Sequence, residues 1–320
     1  MHQTKPAAPA ARAQRSNPAL RPATDSPAVT TAGTCATFRP IPRKKGHGVT
    51  VPLIGAAMLL HNMDILRDWL FDKDRPLEIQ DFIPPGIIAG DTSALLRQWQ
   101  VALQGHHGPR GIHGPFFGLD ITNPDTEIRT IIQARMYKAL DIASALHAEW
   151  MVLHSPFTFW HSLNYTNYPL LRKTLFQAAA DCLGPVLERA ADAGVTLVLE
   201  NIDDTSPADR SDLIAKINHP NLKLSVDTGH ADLAHAKYGA PPVIDFLQHA
   251  GTNLAHVHLQ DIDGHADRHW HPGHGRINWK PLMTALAKHP AQPPLLLEVR
   301  NNHNRIPKTA AILENLLTGN

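Results

Sequence analysis

Cysteine is nearly missing from this chain. Only Cys35 and Cys182 occur in 320 residues, too few for a disulfide framework or a thiolate-based zinc site. No apolar run reaches the roughly 18–20 residues that a spanning helix needs, which excludes an integral helical membrane protein. No Gly-rich phosphate loop follows the first expected strand, which counts against a doubly wound nucleotide-binding sheet. No repeat of about 20–50 residues marks a solenoid or propeller. Hydrophobic residues make up 43% of the chain, enough for a sizeable core, so wholesale disorder is excluded as well. Histidine stands out instead, with 21 residues. Imidazole is the commonest metal ligand and titrates near neutrality, so the surplus points to metal or proton chemistry.

The net charge of +1 hides a split. Residues 1–48 carry eight Lys/Arg against one acid, Asp25, whereas residues 49–320 carry 22 basic and 28 acidic residues. The first stretch is rich in Pro, Ala, Arg, Ser and Thr and has almost no periodic apolar pattern. It is expected to be a disordered extension. It is Arg-rich and acid-poor like a transit peptide, but has no apolar h-region of a secretory signal. That and the low cysteine content give the expectation of a cytoplasmic protein. The remaining domain is mildly acidic, which argues against a nucleic-acid partner.

From Val49 onward, short apolar runs alternate with longer amphipathic stretches. Strands are expected at Leu53–Leu60, Leu77–Gln80, Arg110–His113, Trp150–His154, Thr196–Glu200, Lys223–Val226, Leu254–His258 and Leu295–Val299. Helical patterns cover Glu127–Ala148, Leu170–Ala193 and Ala208–Ile217, and in the first of these Ile128, Ile131, Ile132, Met136, Ala139, Leu140 and Ala143 are expected on one face. Eight strands with helical stretches between most of them predict an α/β fold, a (β/α)8 TIM barrel over residues 49–320.

In such a barrel, chemistry belongs at the C-terminal strand ends. Strands three to eight each run from apolar residues into a metal-competent side chain: His113, His154, Glu200, Asp227 with His230, His258, and Glu298. Taken singly, each has a plainer explanation, such as a hydrogen-bonded histidine, a rim salt bridge, or Asp227 capping the next helix. His256 and His258 point the same way along a strand, and only one of them need reach a metal. Jointly, so many ionisable groups at one mouth call for a cation to neutralise them. Asp267 and His269, in the loop after strand seven, can clamp a cation together.

This ordered series resembles the xylose-isomerase-like barrel superfamily, which contains sugar phosphate isomerases, sugar epimerases and endonuclease IV. The resemblance spans roughly residues 50–316. By similarity to the endonuclease pattern, Glu200, Asp227, His258 and Glu298 hold a central ion. His113 and His154 hold a second, with Glu200 bridging, and His230, Asp267 and His269 hold a third. The epimerase branch uses the central four, with His230 facing substrate. His274 stands where the endonuclease branch has the middle residue of Gly-Glu-Gly. Gly275-Arg276-Ile277-Asn278-Trp279 is closer to the isomerase branch's Gly-x-Ile-Asp-Trp, and the His113-Gly114-Pro115-Phe116 region also resembles that branch.

The resemblance implies a metal-dependent isomerase or epimerase acting on a sugar, sugar phosphate or polyol derivative through a metal-stabilised enediolate. Glu200 and Glu298 would move the proton and His230 would orient a substrate oxygen. Arg300 is a candidate for a substrate phosphate or carboxylate; Trp160, Phe116, Phe117 and Trp270 could wall the pocket. The alternatives are a trinuclear phosphodiesterase acting at abasic DNA, a metal-dependent lyase or dehydratase on an oxidised sugar, and a metal-storing or sugar-sensing barrel without turnover. A DNA enzyme needs a basic rim; the loops Phe116–Asn123 and Phe157–Tyr168 contain no Lys or Arg. The expected cofactor is one to three divalent ions, with Mn, Zn, Fe, Co and Mg all compatible with mixed ligands. The expected partner is a small carbohydrate, with no membrane; homo-oligomers are left open.

Overall fold

The computed structural model describes residues 52–319. The expected extension over residues 1–48 lies outside the described residues. Eight parallel strands close into one barrel in sequence order: β1 (Ile54–Met58), β2 (Leu77–Ile79), β3 (Arg110–His113), β4 (Trp150–His154), β5 (Thr196–Glu200), β6 (Leu222–Asp227), β7 (Leu254–Leu259) and β8 (Leu295–Leu297). Helices link the strands and cover the outside, giving the (β/α)8 architecture. No helix among the described residues is long and apolar enough to cross a membrane.

The strands match the expected ones closely, and β3, β4 and β5 match at both ends. β1 stops at Met58 because the chain turns there: Leu59 N–H donates to Asn62 Oδ1 at 3.1 Å and Leu60 N–H to Asp81 Oδ2 at 2.9 Å. β8 stops at Leu297, so Glu298 stands just past the strand, with its N–H still donating to Leu259 O at 3.2 Å.

The helix Thr126–Ala145 starts on an Asp125 cap whose carboxylate accepts from Glu127 N and Ile128 N. It stops three residues before the expected Ala148. His147 adopts φ 53°, and Ala148 N–H returns to Ala143 O at 2.8 Å, closing a Schellman motif. Its buried residues are Ile132, Met136, Ala139, Leu140, Ile142 and Ala143. Ile128 and Ile131, expected on that face, are exposed. Ile131 points about 100° round from Ile132, and Ile128 sits in the first turn.

Most of the core lies between strands and helices. A second apolar group, Trp150, Val152, Val198 and Leu296, fills the barrel interior. Trp150 fits there because Gly111 stands opposite: a Cβ at Gly111 would lie 2.1–2.4 Å from the indole ring. Above this layer the interior becomes polar.

Candidate metal centre

Register places the predicted ligands side by side. His154 pairs with Glu200 across β4–β5, and Asp227 with His258 across β6–β7. The result is three adjoining groups. Glu200, Asp227, His258 and Glu298 form one, with ligand atoms all within 4.8 Å of one another. His113, His154 and Glu200 form a second, and His230, Asp267 and His269 a third. Glu200 is shared, as the resemblance implied.

In the central group, His258 Nδ1 lies 2.5 Å from Glu200 Oε1 and 3.4 Å from Glu298 Oε2. Asp227 caps the helix Thr228–Tyr238, accepting from His230 N at 2.7 Å. Capping and membership of the acidic cluster thus coexist in one carboxylate. In the second group, both His113 Nε2 and His154 Nε2 stand 3.7 Å from Glu200 Oε2. His113 Nδ1 is 2.8 Å from Gly114 O, which turns Nε2 towards Glu200. In the third group, His230 Nε2 is 3.4 Å from Asp267 Oδ1 and His269 Nε2 is 3.0 Å from Asp267 Oδ2.

The loop carrying Asp267 and His269 is held by Asp261. Its carboxylate accepts from Ile262 N, Gly273 N, Ile277 N and the Trp279 indole. His269 itself is held at φ 48°, an uncommon conformation for a residue with a side chain. Gln260 ties loop to strand: its amide donates to Asp227 Oδ1 and Asp267 Oδ1, both at 3.1 Å, and its oxygen accepts from His269 N. Gly229 allows that, since a Cβ there would lie 2.4–2.7 Å from the Gln260 amide.

The electrostatics favour a cation. Glu200, Asp227, Asp267 and Glu298 make ion pairs only with histidines among the described residues, and none with Lys or Arg. Burial pushes Asp227 up to about 6; His230 pulls it back, and Glu200 and Glu298 push further. Burial and the neighbouring His113 push His154 down to about 3, so its ring is neutral. Burial opposes the charged form of His258, yet Glu298, Glu78 and Glu200 around it hold its pKa well above the ordinary range. Buried carboxylates paired only with imidazoles, which can give up a proton and offer a lone pair instead, are a donor set that fits divalent cations.

The groups open into a cavity of about 700 Å³. Phe116 lines it and stacks on His154 with ring centroids 3.8 Å apart; the exposed Phe117 lines it too. Arg300 lines the rim and is the only Lys or Arg among the lining residues. Two expected wall residues stand elsewhere. Trp160, in the helix Phe159–Asn164, stacks on Tyr168 and does not line this cavity. Trp270 lines a separate hollow with His271 and His274. Sequence reasoning passed over Glu78, buried in β2 beneath His258. Its signal was a lone acid between Leu77 and Ile79, in a strand class that is normally apolar throughout. Gln80, whose amide donates to Glu298 Oε1 at 2.6 Å, was likewise passed over.

Residues 82–316 match the family described as xylose isomerase-like TIM barrel. An uncharacterised protein of Methanocaldococcus jannaschii is 26% identical over 182 residues, 55% of this chain and 59% of that protein. A D-psicose 3-epimerase of Ruminiclostridium cellulolyticum is 26% identical over 191 residues, 55% of this chain and 57% of that protein. These matches span under two thirds of each curated relative. Among solved structures, a Thermus thermophilus protein soaked with ZnCl2 superposes with a TM-score of 0.62 at 25% identity, covering 83% of this chain and 98% of that one.

Proposed function

We propose that this chain, which belongs to the xylose isomerase-like TIM-barrel family, is a divalent-metal-dependent epimerase or isomerase of a carbohydrate. One observation carries the reading: Glu200, Asp227, His258 and Glu298 converge, with ligand atoms within 4.8 Å, and two of them, Glu200 and Glu298, line a cavity large enough for a sugar. The match to a D-psicose 3-epimerase supports the substrate class.

A divalent cation held by these four residues would supply Lewis acidity, stabilising negative charge on a substrate carbonyl oxygen. The remaining work falls to the chain. Glu200 ends β5 and Glu298 stands just past β8, and both stand within 3.4 Å of His258 Nδ1. One would take the proton from the carbon beside the carbonyl and the other return it on the opposite face. Gln80 donates to Glu298 Oε1 and fixes that carboxylate's orientation. His230, with Nδ1 3.1 Å from Asn201 O, presents Nε2 towards the cavity to orient a substrate hydroxyl. Phe116 and Phe117 would exclude water from one side of the sugar, and Arg300 would meet an anionic substituent at the rim.

The flanking groups favour a second reading, a trinuclear phosphodiesterase. His113, His154, Asp267 and His269 are more ligands than one ion needs. The single basic residue of the cavity lining speaks against a DNA substrate.

The test begins with metal content of protein purified without chelator, followed by proton exchange. Loaded protein is incubated in D2O with D-fructose, D-tagatose and D-psicose, and deuterium at the carbon beside the carbonyl is read by NMR. Exchange that disappears in Glu298→Gln supports the epimerase. Absence of exchange with these and with phosphorylated ketoses, together with cleavage of an abasic-site duplex, would replace it with the second reading.

A further inference from the structure

We propose that Glu78 is a positioning residue that fixes the tautomer and ring orientation of His258, so that Nδ1 of that ring faces the central acidic group. This rests on the reading that the central group holds a metal ion.

Glu78 lies in the three-residue strand β2, between Leu77 and Ile79. Its neighbours belong to the apolar core, and Glu78 alone turns to the barrel interior, fully buried. A carboxylate there is costly unless donors surround it. Three face it. His258 Nε2 is 2.9 Å from Oε1, and the Trp150 indole donates to Oε2 at 3.2 Å. His256 Nε2 is 3.1 Å from Oε2, close although out of line for a hydrogen bond. His256 is itself anchored, with Nδ1 2.8 Å from Ser225 Oγ. Elsewhere this interior is filled by Val152, Val198 and Leu296, so an apolar residue would suit packing better than an acid.

The two nitrogens of His258 therefore face different tasks. Nδ1 points at Glu200 and Glu298, and Nε2 at Glu78. A histidine that gives one lone pair to a cation carries its proton on the other nitrogen, and an acceptor for that proton sets both tautomer and ring angle. Glu78 is that acceptor. It does not line the cavity, so it meets no substrate. The cluster also explains why two histidines alternate on β7: His258 serves the mouth, and His256 braces the carboxylate beneath.

The experiment compares wild type, Glu78→Gln and Glu78→Leu in full-length protein, with Co(II) as probe. Affinity is read by calorimetry and ligand geometry by the visible spectrum. Far-UV circular dichroism confirms folding. Removing such an outer partner costs about 10–100-fold in metal affinity, and that is the loss expected for Glu78→Leu, with an altered Co(II) spectrum. Glu78→Gln keeps an acceptor oxygen and should recover part of the loss. A folded Glu78→Leu with wild-type affinity and spectrum overturns the proposal. If Glu78→Leu does not fold, Glu78→Gln decides: a changed Co(II) spectrum with weaker binding supports the role, and wild-type values in both overturn it. Wild type that takes up no Co(II) overturns the metal reading itself, a different result from either.

Discussion

Two ionic groups are buried beside each other near the ends of β5 and β6, and they are built on opposite principles. One is Asp204 with Arg210, both about 1% exposed. Arg210 Nε stands 3.1 Å from Asp204 Oδ1, and Arg210 Nη1 donates to Leu199 O and Ser225 O. Asp204 also accepts from Ser155 Oγ and Ile202 N. One cation meets one anion, and neighbouring carbonyls, a hydroxyl and a backbone N–H take up other valences of the two. The other group is the mouth: Glu200, Asp227, Glu298 and Asp267, whose ion pairs are all with imidazoles. Asn201 joins the two, accepting from Asp227 N and donating to Asp227 O while facing Arg210. A guanidinium–carboxylate pair is permanently ionic and holds loops together. A carboxylate cluster paired only with imidazoles can exchange their protons for a cation, which is how a candidate binding site differs from a clamp.

The sharpest way to break that contrast is to unbalance the clamp. Asp204→Ala strands a buried guanidinium and should cost about 3–5 kcal/mol in denaturant unfolding, while metal content per folded chain stays at the wild-type value. Loss of metal from well-folded Asp204→Ala protein would show that the clamp belongs to the site. The reverse substitution is Asp227→Asn, which relieves the mouth of one buried carboxylate. Metal affinity should fall by about 100-fold or more, beyond the loss expected for an outer partner. Chelator-treated Asp227→Asn should nevertheless be as stable as chelator-treated wild type, or more so, because binding sites trade stability for function. A loss above about 1 kcal/mol in the metal-free variant would place the mouth with ordinary structural networks.

Much of this was legible from residues alone. Glu200 and His154 were found because apolar runs deliver them at strand ends, and a closed parallel barrel puts all such ends at one mouth. Asp267 and His269 were found from their spacing, although Asp261, which positions their loop through Trp279 and Gly273, carries no local signature of that task. Glu78 was missed because its meaning depends on His258, 180 residues away. Trp160 shows the opposite failure. An aromatic residue in a mouth loop suggests a pocket wall, but it stacks on Tyr168, and which face of a short helix meets the cavity is decided by tertiary packing.

The subtlest contrast is in pH dependence. Burial raises the Asp204 carboxyl from 3.8 to about 6, even with Arg210 beside it. The folded chain then holds this proton more tightly than the unfolded chain does. The stabilising contribution is fully present below about 3.8 and is lost as pH rises through about 6. Asp204→Asn removes the titration and keeps the shape. The stability of wild type minus that of Asp204→Asn, both treated with chelator, should therefore decline between about pH 4.5 and 7 by roughly 2 kcal/mol and then level off. Groups that titrate equally in both proteins cancel in the difference. Chelation removes metal linkage, so the mouth does not contribute. A difference that rises over the same window would mean that Arg210 outweighs burial and holds the carboxylate ionised, making the clamp a net source of stability at neutral pH.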